Sequence, residues 1–207
     1  MKIAVLAANG RSGRAFVAAA LAAGHTVRAG IFGEANFEDH PNLQVLPCDA
    51  TDKDDLEILF SEIDAVVSFI GHIKGSAQDV QTLAFRNIVE TLQNCGVHRI
   101  ISLTGTGVRF DGDTISMIDR ILNTAVTLVD KHRIRDGRNH VEILKQSGLE
   151  WTVVRVLKLT DGTAKPYVLL EHGPAKLFTS RTEVAQAVLQ VLEQRSFVRQ
   201  APVIGKA

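Results

Sequence analysis

The residues best suited to chemistry stand near the N-terminus, in the run Ala7-Ala8-Asn9-Gly10-Arg11-Ser12-Gly13. A diphosphate is gripped by bare backbone N–H groups, a close approach of the main chain and the positive end of a helix. Gly10 takes away the side chain where a phosphate would come nearest, and Gly13 lets a following helix lie close on the preceding strand. Asn9, Arg11 and Ser12 set an amide, a guanidinium and a hydroxyl around those glycines. The same pattern also makes a plain strand-to-helix turn, so its surroundings must decide.

Other groups carry weaker signals. His132, His140 and Glu142 lie near one another, yet no spacing sets three ligands on one helical face, so no metal site is assigned. The basic run from Lys131 to Arg138 is interspersed with Asp130 and Asp136, which predicts an exposed, salt-bridged surface. If that run borders a pocket, Arg133, Arg135 and Arg138 would draw an anionic ligand. Cys48 and Cys95 are far apart and lack a CxxC spacing, which predicts two reduced thiols.

Around these residues strand and helix patterns alternate. KIAVLA reads as a buried strand ending at Asn-Gly, and RAFVAAALAAG as a helix stopped by Gly24. HTVRAGIF, NLQVLPC, IDAVVSFIG, HRIISLT and LEWTVVRVL read as further strands. A helix capped by Thr51 follows the third strand, and a longer one has Val80, Leu83, Ala84, Ile88 and Leu92 on one side. A helical region runs from about Ile115 to Gln146. Late in the chain, 158–179 reads as an irregular excursion with one short strand. Ser180 and Glu183 then form a capping box, and FVRQAPVIG closes as a strand. The alternation predicts one α/β domain over 1–207, a parallel, doubly wound sheet with helices on both faces. Ligands of such sheets lie outside the carboxyl ends of the strands, here the tips at Ala7, Phe32, Cys48, Phe69, Thr104 and Leu157.

Lys and Arg (23) balance Asp and Glu (23), which argues against nucleic acid or an anionic membrane as partner. No stretch reaches the roughly 20 apolar residues of a membrane span, and the opening run is too short for a signal-peptide core. A cytoplasmic location is expected.

With these pieces in place, the chain resembles the atypical short-chain dehydrogenases with a Rossmann fold. The branch is the NAD(P)H-binding, NmrA-like one that includes biliverdin-IXβ (flavin) reductases. NGRSG looks like its glycine loop, VLPCDATDKDDL like the adenine-side segment and IDAVVSFIGH like the strand end along the cofactor. HRIISLTG resembles the strand carrying the active-site Ser or Thr, while SGLEWTVVRVLKLTDG and TSRTEVAQAVL resemble late markers. The resemblance implies that Asn9 to Gly13 hold the pyrophosphate and that Asp49 meets adenine, unless Asp49 serves the following helix as a cap. It implies that Phe69, Ile70 and Gly71 line the nicotinamide-ribose side and that Thr104 stands at the Ser/Thr position.

Three departures matter. Ala7 replaces the first glycine of the loop, which is tolerable if φ there stays negative. Phe32 stands at the second-strand tip, where NADP-selecting members often carry Arg; Glu34 lies two residues on, and Arg11 becomes the nearest match for a 2′-phosphate. Counted back from Ser147-Gly148-Leu149, the family's Tyr and Lys positions fall near Arg133 and near Gly137, and a shift of register to Arg138 and Glu142 does not restore the pair. Tyr167, the one tyrosine, reads as packing. No catalytic side chain is assigned, and losing a positioned acid forfeits about 10²–10⁴ in rate. The cofactor expected is NADP, with NAD the other option. The reaction expected is hydride transfer to a small flavin- or quinone-like acceptor, which can take its proton from water. The alternative is a non-catalytic NAD(P) sensor. A monomer or homodimer fits either.

Overall fold

Alternation along β1 (Lys2–Leu6) sets up two cores. Ile3 and Val5 belong to one and Ala4 and Leu6 to the other, because successive strand side chains point to opposite faces. The computed structural model describes residues 1–207 except Ala35 and Lys74, with Val129 described by its backbone alone.

After β1 come α1 (Arg11–Ala22), β2 (Thr26–Ile31), β3 (Leu43–Pro47), α2 (Lys53–Leu59), β4 (Ala65–Ser68), α3 (Val80–Asn94) and β5 (Arg99–Gly105). Next are α4 (Met117–Val129), α5 (Lys131–Gln146), β6 (Glu150–Val156), β7 (Lys158–Thr160), β8 (Tyr167–Leu170), β9 (Phe178–Ser180), α6 (Arg181–Glu193) and β10 (Val203–Lys206). Among the described residues these form an eight-stranded sheet in the order β3-β2-β1-β4-β5-β6-β10-β8, with β7 and β9 paired apart. Pairing is parallel from β3 through β10, and β8 runs antiparallel on the edge. The winding reverses between β1 and β4, which is the Rossmann switch point.

One face is covered by α1 and α6, whose Phe16, Val17, Val184 and Val188 pack on Ile3, Val5 and Val67. The other is covered by α2, α3 and α5 through Leu56, Phe85, Ile88 and Val141. Each fully buried Phe contributes about 1.5–3 kcal/mol relative to exposure. α1 ends as its sequence predicts: Gly24 takes φ +81°, and His25 N donates back to Ala20 O at 3.0 Å. Cys48 is buried and Cys95 exposed, both free. Burial pushes the Cys48 thiol up to about 12, helped by Asp55, Asp49 and Asp52.

Several local expectations are corrected. Asp52, not Thr51, caps α2, accepting from Asp54 N. Leu83 is 40% exposed and Phe85 takes its place, because the buried stripe of α3 runs through Ala84, Phe85, Ile88 and Leu92. The helix predicted over 115–146 breaks at Asp130 (φ −145°, ψ 74°), whose carboxylate caps α5 by accepting from Arg133 N. The 158–179 segment contains β7 and β8 and runs into β9; the three-residue strands β7 and β9 are too short to show a period of two. Among the described residues no helix is long and apolar enough to cross a membrane.

Candidate functional site

The chain leaves β1 and enters α1 through Ala7–Gly10. Gly10 is the N-cap, no side chain caps this helix end, and its first turn carries no acid. The first N–H groups of α1 therefore have no partner within the helix, and its dipole adds positive potential there. Gly13 makes the seating possible: a Cβ would stand 2.4 Å from Ala7 O and 2.7 Å from Ala8 Cα. Open amides beside a missing side chain fit the diphosphate of a dinucleotide. Ala7 departs from its stated condition, since its φ is +55°. An alanine there is disfavoured by about 1–2 kcal/mol. Neighbouring bonds hold it, Gly10 N donating to Ala7 O at 3.1 Å and Ala8 N to Gly30 O at 3.0 Å.

The strand tips position the remaining candidates. Asn9 donates its side-chain amide to Phe32 O (2.8 Å) and Glu34 O (3.3 Å), so it ties the loop to the β2 tip. Arg11 reaches Asp161 at 3.6 Å, a carboxylate that Arg181 also holds at 2.6 Å. The guanidinium beside the β2 tip is that of Arg14. It donates from Nε to Asn9 O (3.1 Å) and from Nη1 to Asn36 O (2.7 Å), and lies 4.9 Å above the Phe37 ring. Phe32 is 62% exposed at that tip. Asp49 accepts through Oδ1 from Thr51 N (2.8 Å) and Thr51 Oγ1 (2.7 Å), which shapes the turn after β3.

A cleft of about 400 Å³ opens beyond β4, β5 and β6, and Ser12, Phe69, Ile70, Gly71 and Thr104 all line it. Phe69 is braced by Phe16, ring centroids 5.6 Å apart. Leu103, Val126, Ile134 and Leu159 make its walls apolar, which disfavours water inside. Thr104 backs onto α5, where a Cβ on Gly137 would stand 3.3 Å from Thr104 Oγ1. Arg133, one turn before Gly137, also lines the cleft and pairs with Asp130 at 3.5 Å. Arg135 instead meets His132 Nδ1 at 3.0 Å. A second hollow, of about 490 Å³, lies along residues 37–45 and shares no lining residue with the cleft.

Three further features complete the site. Asn123 on α4 donates to Thr106 Oγ1 (3.0 Å) and Asp119 Oδ1 (2.8 Å), pinning the loop beyond Thr104. Arg155 on β6 is fully buried and grips Asp113 through both nitrogens, at 2.5 and 2.8 Å. Burial opposes the charge on Asp113. Hydrogen bonds from Arg155 and Phe110 N–H, with the charges of Arg155 and Arg109, outweigh it and hold the carboxyl below its ordinary value. Asp136 corrects the expectation of an exposed surface, being 1% exposed. It accepts from Gln81 N (2.9 Å) and Thr82 N (2.8 Å), closing the N-terminus of α3, and His72 Nε2 lies 3.2 Å from its Oδ2.

Sequence reasoning missed His72, Asn123 and Arg14. For His72 and Arg14 the available signals were the polar ends of VSFIGH and NGRSGR, which name residue types without their partners, and Asn123 had none. His132, Glu142 and His140 turn to separate neighbours: Arg135, Lys145 and the Phe85 ring. Tyr167 sits on β8 with its hydroxyl 3.3 Å from Gln190 Oε1.

Comparison with known proteins meets this geometry. The family model described as NAD(P)H-binding matches residues 7–195. An uncharacterized chloroplastic protein of Arabidopsis thaliana is 25% identical over 227 aligned positions, which cover 100% of this chain and 77% of that one. Among solved structures, a short-chain dehydrogenase/reductase of Veillonella parvula in complex with NADP superposes with a TM-score of 0.83 at 19% identity, covering 99% of this chain and 94% of its own. ChuY, an anaerobillin reductase of Escherichia coli O157:H7, gives 0.79 at 19% identity, covering 100% and 97%. At such identity the structural likeness speaks for the fold alone.

Proposed function

This chain belongs to the NAD(P)H-binding family, and we propose that it uses NADPH to reduce a planar acceptor of the flavin or quinone type. The observation that carries this reading is the place of Ser12. It belongs to the first turn of α1 and also lines the apolar cleft, so a dinucleotide held at the helix end leads into that cleft. When bound, the nicotinamide supplies the hydride. Phe69, Ile70 and Leu103 exclude water around it, and Arg133 brings a positive charge to an acceptor that gains electrons. The NADP complex of the Veillonella neighbour and the reductase name of ChuY support the same class of chemistry.

Arg14 supports NADPH over NADH. Its guanidinium is already oriented by Asn9 O, Asn36 O and the Phe37 ring at the β2 tip, where a Rossmann fold meets the ribose 2′ position. Arg14→Gln should weaken NADPH binding about 10- to 100-fold, the loss expected for charge-assisted hydrogen bonds, and leave NADH binding unchanged. Nucleotide fluorescence titration measures both. Equal losses for the two nucleotides would contradict the assignment. The reaction itself is tested by following NADPH absorbance with flavin, quinone and aldehyde acceptors; oxidation with the first two and not the third is the expected result. A second reading, an NAD(P) sensor without turnover, is favoured by Gly137, which packs behind Thr104 near the position where the resemblance would set the family's lysine. Tight NADPH binding with no acceptor reduced would select it.

A further inference from the structure

We propose that His72, hydrogen-bonded to Gln78 O and beside the buried carboxylate of Asp136, is the proton donor of the cleft; this rests on the reductase reading above. The pair takes the part of the family's Tyr-x-x-x-Lys pair, which the sequence from 131 to 146 does not contain.

The geometry starts at α3. Its own N-cap residue, Asp79, makes no capping hydrogen bond, and Asp136 reaches across from α5 to do so. Oδ1 accepts from Thr82 N and Thr82 Oγ1, while Oδ2 accepts from Gln81 N. Three donors and the positive end of a helix satisfy this carboxylate in the interior. A cap alone has no need of His72. Yet His72 Nε2 stands 3.2 Å from Asp136 Oδ2 and 3.2 Å from Gln78 O. Both neighbours are acceptors, so Nε2 carries the hydrogen. Nδ1 is the exchangeable position; in the neutral ring it accepts from Gln81 Nε2 at 3.5 Å, and the amide turns away when Nδ1 takes a proton.

His72 and Gln81 line the cleft together with Thr104 and Arg133. The charged groups facing His72, among the described residues, are Asp136 behind it and Arg133 in the same cleft, both from α5. A backbone carbonyl and a carboxylate on one side of an imidazole set its tautomer and orientation, an arrangement general acids use.

The acceptor gains two electrons and one hydrogen nucleus as hydride from the reduced nicotinamide. The His72 Nδ1–H bond breaks, and its proton bonds to the anionic nitrogen or oxygen of the reduced acceptor. Water then reprotonates the neutral imidazole, so one solvent proton is consumed per turnover. Asp136 is a positioning residue and touches no reacting atom.

The test uses the full chain and His72→Gln, with His72→Ala as a second variant. With NADPH and a quinone acceptor, His72→Gln should lower kcat about 100-fold, the low end for loss of a general acid, while NADPH affinity and melting temperature stay the same. The fall in kcat with rising pH that histidine titration produces should vanish in the variant, and added imidazole should restore part of the activity of His72→Ala. Independently of turnover, ¹⁵N spectra of histidine-labelled protein should show neutral His72 as the Nε2–H tautomer. Turnover and pH profile unchanged in His72→Gln, or an Nδ1–H tautomer, would overturn this inference alone. Wild-type protein that binds NADPH and reduces no acceptor overturns the reductase reading and this inference with it.

Discussion

Acid should destabilise this protein through His140. The residue is completely buried, its ring centroid 4.6 Å from that of Phe85 and its Nε2 3.4 Å from Ser102 Oγ. Burial pushes its pKa from 6.5 down to about 4, against the opposing charge of Asp136. The unfolded chain takes up the proton near its ordinary value, whereas the folded one refuses it until about pH 4. The contribution is therefore intact above pH 6.5 and drains away as pH falls through that window. A gap of this size amounts to about 3 kcal/mol, most of it lost by about pH 4.5. That is a large share of the roughly 5–15 kcal/mol that holds a domain folded. Urea unfolding of the wild type and His140→Leu at several pH values between about 7 and 4.5 measures it. The slopes decide, because leucine also removes the Ser102 contact and so shifts the level at every pH. The wild type should lose about 2–3 kcal/mol relative to the variant across the window. Parallel slopes would refute the argument, for they would mean that His140 meets water or an unseen partner when protonated.

Gly13→Ala should force α1 away from β1, since the new methyl would meet backbone atoms at 2.4, 2.7 and 2.8 Å. We expect a loss of about 1–3 kcal/mol in urea and at least about a tenfold loss of NADPH affinity by fluorescence. Ala7→Gly should do the reverse for stability. Relief of the left-handed alanine, about 1–2 kcal/mol, exceeds the added chain entropy of about 0.4–1 kcal/mol, and a higher urea midpoint is the readout. Asp113→Asn should leave the Arg155 guanidinium, 1% exposed, without its counter-charge. Removing one partner of such a pair costs about 3–5 kcal/mol, measured as a drop in melting temperature. Because the Asp113 pKa is held below 3.8, the wild-type pair should persist above that pH and weaken only below it.

Much of the architecture could be read without coordinates, and the reason is local. A strand declares itself by the run from Ile3 to Leu6, a helix end by Gly24, a helix start by Ser180 and Glu183, all within a few residues. The glycines at 10 and 13 likewise announce a phosphate-sized opening, because the close approach they permit is to Ala7 and Ala8 next door. Ser12, Phe69, Ile70, Gly71 and Thr104 were found at strand tips and loop, and the doubly wound order brings them to one cleft. Other features lie beyond such reasoning. The sign of φ at Ala7 depends on how the turn closes against Gly30, and the break at Asp130 depends on where α5 must start to lie over α3. Asp136 sits in a basic run that reads as solvated surface, yet it is buried because α3 presents an uncapped end to it. His72 and Asp136 are 64 positions apart, and Arg14 finds Asn36 across a strand. Periodicity and capping are short-range properties of a chain and survive in its letters. A polar group's partner is set by which helices the sheet brings side by side, and that is decided when the two cores close.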